Sequence, residues 1–101
     1  MFLIELFIPL ANNEGVRFPE DAFKEIEDTL TEKFGGLTSY PRAPANGIWD
    51  DGQHSQKDEL LVYEVMTNAV DMPWWEACRR NLEERFQQEK VLIRAAEVTI
   101  L

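Results

Sequence analysis

One cysteine, Cys78, and one histidine, His54, occur among 101 residues. A lone cysteine excludes an intramolecular disulfide, and with it the stapled framework of small secreted domains. A reducing compartment is expected. No apolar run approaches the ~20 residues that span a bilayer. The opening Met1-Phe2-Leu3-Ile4-Glu5-Leu6-Phe7-Ile8 has no basic start, carries a glutamate within its apolar run and lacks a small-residue cleavage site, unlike a secretory signal. A cytoplasmic location follows as the expectation. Basic charge is scarce as well: 10 Lys and Arg against 19 Asp and Glu leave a formal net charge of −9. Such a chain is repelled by phosphate backbones and anionic leaflets, so neither nucleic acid nor a membrane is an expected partner. The basic residues from Arg79 to Arg94 are interleaved with glutamates, which makes a mixed face and not a nucleic-acid footprint. Phosphate-cradling glycine loops, C-x-x-C pairs and Ser/His/Asp groupings are missing too.

What is present suffices for one core. The chain is 45% hydrophobic and 11% aromatic, and residues 1–101 are read as a single domain. Leu60-Leu61-Val62-Tyr63-Glu64-Val65-Met66 is apolar on both parities, which is the pattern of a strand at the centre of a sheet. Phe2, Ile4, Leu6 and Ile8 share one parity of a first strand, Leu3, Glu5 and Phe7 the other, and Pro9 ends it or marks its last turn. Phe18-Pro19-Glu20-Asp21 opens a helix whose apolar stripe is Phe23, Ile26, Leu30 and Phe34, and Gly35-Gly36 closes it. Leu37 to Tyr40 suits a strand, but Pro41 and Pro44 force it to an edge or a bulge. Asn46 to Trp49 reads as extended, and Gln53 to Asp58 as a polar hairpin tip. Asp71 caps a second helix with Pro73 in its first turn and Trp74 or Trp75, Cys78, Leu82 and Phe86 on its stripe. A last strand is expected from Val91 through Leu101.

The order β-α-β-β-α-β defines an α+β, ferredoxin-like fold, with a four-stranded antiparallel sheet and two helices on one face. The first and third strands are central. If Phe2, Ile4, Leu6 and Ile8 face the helices, Leu3, Glu5 and Phe7 line the open side. Glu64 belongs there too, because a carboxylate beneath two helices is costly unless paired. The open face then carries Leu3, Phe7, Leu60, Val62 and Met66 around Glu5 and Glu64. So many apolar side chains call for a cover, and a second copy packed sheet to sheet is the expected one, a homodimer that encloses a small-molecule pocket.

Gly36-Leu37-Thr38-Ser39-Tyr40, Gly47-Ile48-Trp49-Asp50-Asp51-Gly52, Asp58-Glu59-Leu60-Leu61-Val62 and Trp74-Trp75 followed by Arg79-Arg80 resemble short bacterial proteins of uncharacterised families. Arg85-Phe86-Gln87-Gln88-Glu89 and Val91-Leu92-Ile93-Arg94-Ala95 extend the likeness over about two-thirds of the chain. It implies a ferredoxin-like fold and no activity. The layout is also similar to the dimeric α/β-barrel superfamily, a likeness of architecture only, and fold does not imply function.

Six residues form the candidate ligand site: Glu5, Tyr40, Arg42, Trp49, Glu64 and Arg94. Two neighbouring carboxylates raise one another's pKa and can make a general acid or base, unless Arg42 or Arg94 neutralises them in a structural network. A guanidinium beside Tyr40 and Trp49 suits an anionic or carbonyl-bearing small molecule. His54 with Asp50, Asp51 and Asp58 matches no metal-ligand spacing, so no metal is expected. Cys78, on the buried stripe, reads as a core residue and not a nucleophile. Trp74 and Trp75 read as helix-start packing. The expected function is small-molecule binding or cofactor-free enzymology between two sheets. The alternative is a non-enzymatic protein–protein interaction module.

Overall fold

The computed structural model describes residues 1–42 and 59–101. The element order is β1 (Phe2–Pro9), α1 (Glu20–Phe34), β2 (Thr38–Arg42), β3 (Leu60–Thr67), α2 (Met72–Arg85) and β4 (Leu92–Glu97). The sheet is antiparallel, in the order β2-β3-β1-β4, so β1 and β3 are central as their two-sided apolar patterns require. This is the ferredoxin-like α+β arrangement. Trp49 and the His54 group, with Asp50, Asp51 and Asp58, lie outside the described residues, as do residues 46–49, expected to be extended, and residues 53–58, expected to form a hairpin tip.

The helices end where their sequences direct. Gly35 takes φ 77°, and its N–H donates to the Thr31 carbonyl, the left-handed cap that glycine adopts without a Cβ clash. Asp71 accepts from the Trp74 N–H at 3.2 Å, with Pro73 in the first turn of α2. Trp75 is buried and Trp74 half-buried. Phe34 stacks on Trp75 at 5.4 Å, while Lys33 Nζ sits 4.7 Å above the Trp74 ring, so both tryptophans pack at the helix start.

One face of the sheet meets both helices. Ile4, Leu6 and Ile8 from β1 and Tyr63 and Val65 from β3 share a core with Ile26 and Leu30 of α1 and Trp75 and Leu82 of α2. Cys78 packs against that core, and burial pushes its thiol up to about 11, as suits an inert side chain. Two polar ties reach across layers. The Tyr63 hydroxyl donates to Glu27 Oε2 at 2.8 Å, fastening α1 to β3. Glu83 Oε2 accepts from the Val91 N–H at 3.0 Å and from Arg79 Nη1 at 2.8 Å, fixing α2 to the start of β4.

β4 is shorter than expected. Its ladder with β1 ends at the Phe2–Glu97 pair, followed by one bond from the Val98 N–H to the Met1 carbonyl. Val98 to Leu101 keep a strand-like composition, but strand structure needs a paired neighbour, and β1 pairs with β4 from Phe2 onward.

The Val91 N–H, aided by Arg79 and opposed by lost hydration, holds the Glu83 carboxyl below its ordinary 4.5. A depressed carboxylate stabilises the fold fully above the unfolded value and loses that contribution as pH falls through the folded one. Glu83→Gln is therefore expected to melt lower at neutral pH. Between about pH 5 and about pH 3 its stability should fall less steeply than wild type, as thermal melts across that range will report.

Candidate functional site

Backbone bonding directions set the geometry of the open face. Glu5 is opposite Arg94 on β4 and opposite Glu64 on β3. The Val98 N–H bonds the Met1 carbonyl and the Leu10 N–H bonds the Glu59 carbonyl. Odd residues of β1 therefore turn their N–H and C=O toward β4, and even ones toward β3. Glu5 and Glu64 are consequently a non-hydrogen-bonded pair, the kind with Cα atoms about 4.5 Å apart and the closer side chains. Like charges directly opposite are destabilising there.

Two neighbours answer them. Arg94 Nε donates to Glu5 Oε1 at 2.8 Å, and the Tyr40 hydroxyl reaches diagonally to Glu64 Oε2 at 3.2 Å. The guanidiniums of Arg94 and Arg42 lie 4.9 and 5.6 Å from the centroid of the Phe7 ring. Five of the six expected site residues thus share one face; Trp49 is the sixth, outside the described residues. Among the described residues, Arg94 bonds Glu5 and Tyr40 bonds Glu64, so the two carboxylates have different partners.

The apolar part of this face is divided. Phe7 (6% exposed) and Val62 (0%) are buried, yet neither belongs to the core beneath the helices. Exposed apolar surface remains at the margins, at Tyr40 (38%), Met66 (40%) and Leu92 (42%). A separate groove of about 350 Å³ lies on the opposite layer between α1 and α2, floored by Ile26, Leu30, Cys78 and Leu82 and crossed by the Arg85–Glu25 ion pair at 2.8 Å. Sequence reading missed it, because side chains on two helices far apart in the chain line it and no spacing marks it. Among the described residues no helix is long and apolar enough to cross a membrane, and no group of three metal-ligating side chains converges.

The fold and the charged row on its open face define a class first: a ferredoxin-like α+β protein with α1 and α2 on one sheet face and, among the described residues, no helix on the other. No family profile matches the sequence, and no curated protein matches it. Among solved structures the chain is similar to a phage SAM lyase in complex with S-methyl-5'-thioadenosine. The TM-score is 0.64 at 14% identity, over 95% of this chain and 80% of that one. At that identity the likeness shows the fold alone. It bears out the ferredoxin-like part of the resemblance to short bacterial proteins and supplies no family.

Lost hydration, the bond to Glu64 and the charges of Glu64 and Glu5 push the Tyr40 phenol above its ordinary 10, against the pull of Arg42. Glu64→Gln removes the negative charge and leaves only a neutral amide oxygen, a weaker acceptor. The Tyr40 pKa should then move down toward 10, followed by ultraviolet difference titration against a Tyr40→Phe control. An unchanged titration would show that the phenol and carboxylate are not coupled.

Proposed function

We propose that the open face is a small-molecule site, used for binding or for chemistry without a cofactor, and closed by a second copy packed sheet to sheet. The observation that carries this reading is the polar row of Arg94, Glu5, Glu64 and Tyr40 set among Leu3, Phe7, Val62 and Met66 on one face. In that row Arg94, with Arg42 beside Phe7, offers a guanidinium to an anionic or carbonyl group. Glu64 and the Tyr40 hydroxyl offer an acceptor and a proton donor within 3.2 Å of each other. Glu5 holds Arg94 in place. The apolar margin supplies area to enclose a ligand once a second sheet covers it.

A protein of the same fold is a SAM lyase and holds S-methyl-5'-thioadenosine. Those two compounds are therefore the first to try. The second reading, an interaction module for another protein, is favoured by the exposed margin at Met66 and Leu92.

Melting the purified chain with SAM, with S-methyl-5'-thioadenosine and with a panel of small carboxylates tests the proposal. A compound present at about 100 times its Kd adds about 2.7 kcal/mol to the folded state. For a chain of this size that is a Tm rise of roughly 10 °C or more. Glu64→Gln and Arg94→Ala should cancel the rise while leaving a cooperative melt. No shift with any compound, or a shift indifferent to both substitutions, would favour the interaction module instead.

A further inference from the structure

The two edges of the sheet are unlike. β2 carries Pro41, which has no N–H to give an incoming strand. β4 contains no proline, five of its six residues are exposed, and among the described residues it has one neighbour, β1. The ladder parity turns the N–H and C=O groups of Leu92, Arg94 and Ala96 inward to β1. Those of Ile93, Ala95 and Glu97 therefore point outward, a row of backbone groups that has no strand partner among the described residues and is of the kind that templates strand addition.

We propose that β4 is a homotypic docking edge, pairing antiparallel with β4 of a second copy about a two-fold axis at Ala96 and extending the sheet from four strands to eight. The register follows from the side chains. A two-fold centred at Ala96 sets the outward-facing Ala95 against Glu97 of the other copy, and Ile93 against Thr99. The close, non-hydrogen-bonded pairs are then Ala96 with its own copy, Arg94 with Val98, and Leu92 with Ile100. Leu92 is 42% and Ile100 62% exposed in the single chain, and each acquires an apolar partner twice over in this register. No like charges meet directly, and the small Ala96 lets the axis pass. A register centred on Arg94 would oppose two guanidiniums. Completing the pairing requires residues 98–101 to extend as a continuation of β4. The occupant is a second copy because the strand is complementary to itself in this way. This contact uses backbone atoms at the sheet edge, whereas closure of the open face uses its central strands, and neither requires the other.

The test is sedimentation of the full chain over a range of concentrations, with added salt to screen repulsion between copies of net charge −9. The variants are Ala95→Pro, Ile100→Asp and Met66→Glu. Ala95→Pro removes only an outward N–H, so the ladder with β1 survives, and circular dichroism should show an unchanged fold. Wild type is expected to associate, and Ala95→Pro and Ile100→Asp should each weaken association about tenfold or more. Should Ala95→Pro fold poorly, Ile100→Asp, which lies outside β4, decides alone. A wild-type chain that stays monomeric overturns the proposal, as does association that both edge variants leave intact. Met66→Glu reports on the open face separately: association lost in that variant and kept in the edge variants sinks the edge contact while leaving the face-to-face reading standing.

Discussion

Ile4, Leu6 and Ile8 must lie with Tyr63 and Val65 beneath the two helices, and that requirement dictates the opposite side of the sheet. Side chains alternate with a period of two, so a slip of one residue in either central strand would carry Glu5 or Glu64 into the core. The register that keeps both carboxylates out of the core also sets them directly across from one another. A repulsive pair at the centre of the open face is thus a consequence of a well-packed centre on the covered face. Arg94 and Tyr40 are placed to offset it, each by its own strand pairing: Arg94 by standing opposite Glu5, Tyr40 by lying one diagonal from Glu64.

The same register explains why the open face is not uniformly exposed. Phe7 follows Glu5 by two residues, within reach of the side chains of both Arg94 and Arg42, and the guanidiniums sit beside its ring. A guanidinium can cover an aromatic face and keep its charge hydrated at the rim. Phe7 and Val62 are buried within one chain, Phe7 beneath those guanidiniums, and the exposed apolar margin is Tyr40, Met66 and Leu92. Apolar burial at about 25 cal/mol per Å² still makes that margin worth covering. Tyr40 and Leu92 place part of that margin on the edge strands β2 and β4.

Much of this was legible from the chain alone, for physical reasons that differ from residue to residue. Periodicity found the helices and the central strands, because a stripe of Phe23, Ile26 and Leu30 or a strand apolar on both parities admits few alternatives. The cost of burying a charge placed Glu64 on the open face, where its own strand was ambiguous. The choice between Arg42 and Arg94 as the partner of Glu5 was not legible, since it depends on cross-strand register and both lie on the same face. The Tyr63–Glu27 bond joins residues 36 apart on different layers, and nothing in local pattern marks such a pair. The end of β4 was misplaced because Val98 to Leu101 have strand-forming side chains, while strand structure depends on a partner that composition does not reveal.

A charged row in this place is poorly explained by stability. The Arg94–Glu5 pair is partly exposed, with 56% of the Arg94 side chain in water, and pairs of that kind contribute about 0 to 1 kcal/mol. The carboxylates lie directly opposite each other, which is unfavourable. Apolar residues of similar volume at positions 5 and 64 would extend the patch formed by Leu3, Phe7, Val62 and Met66, and replacing charged groups by well-packed apolar ones is often neutral or stabilising. A face whose one task was to be covered by another sheet would be better served by such residues. Two carboxylates, two guanidiniums and a phenol on one face instead supply donors and acceptors of the kind the proposed ligand site needs.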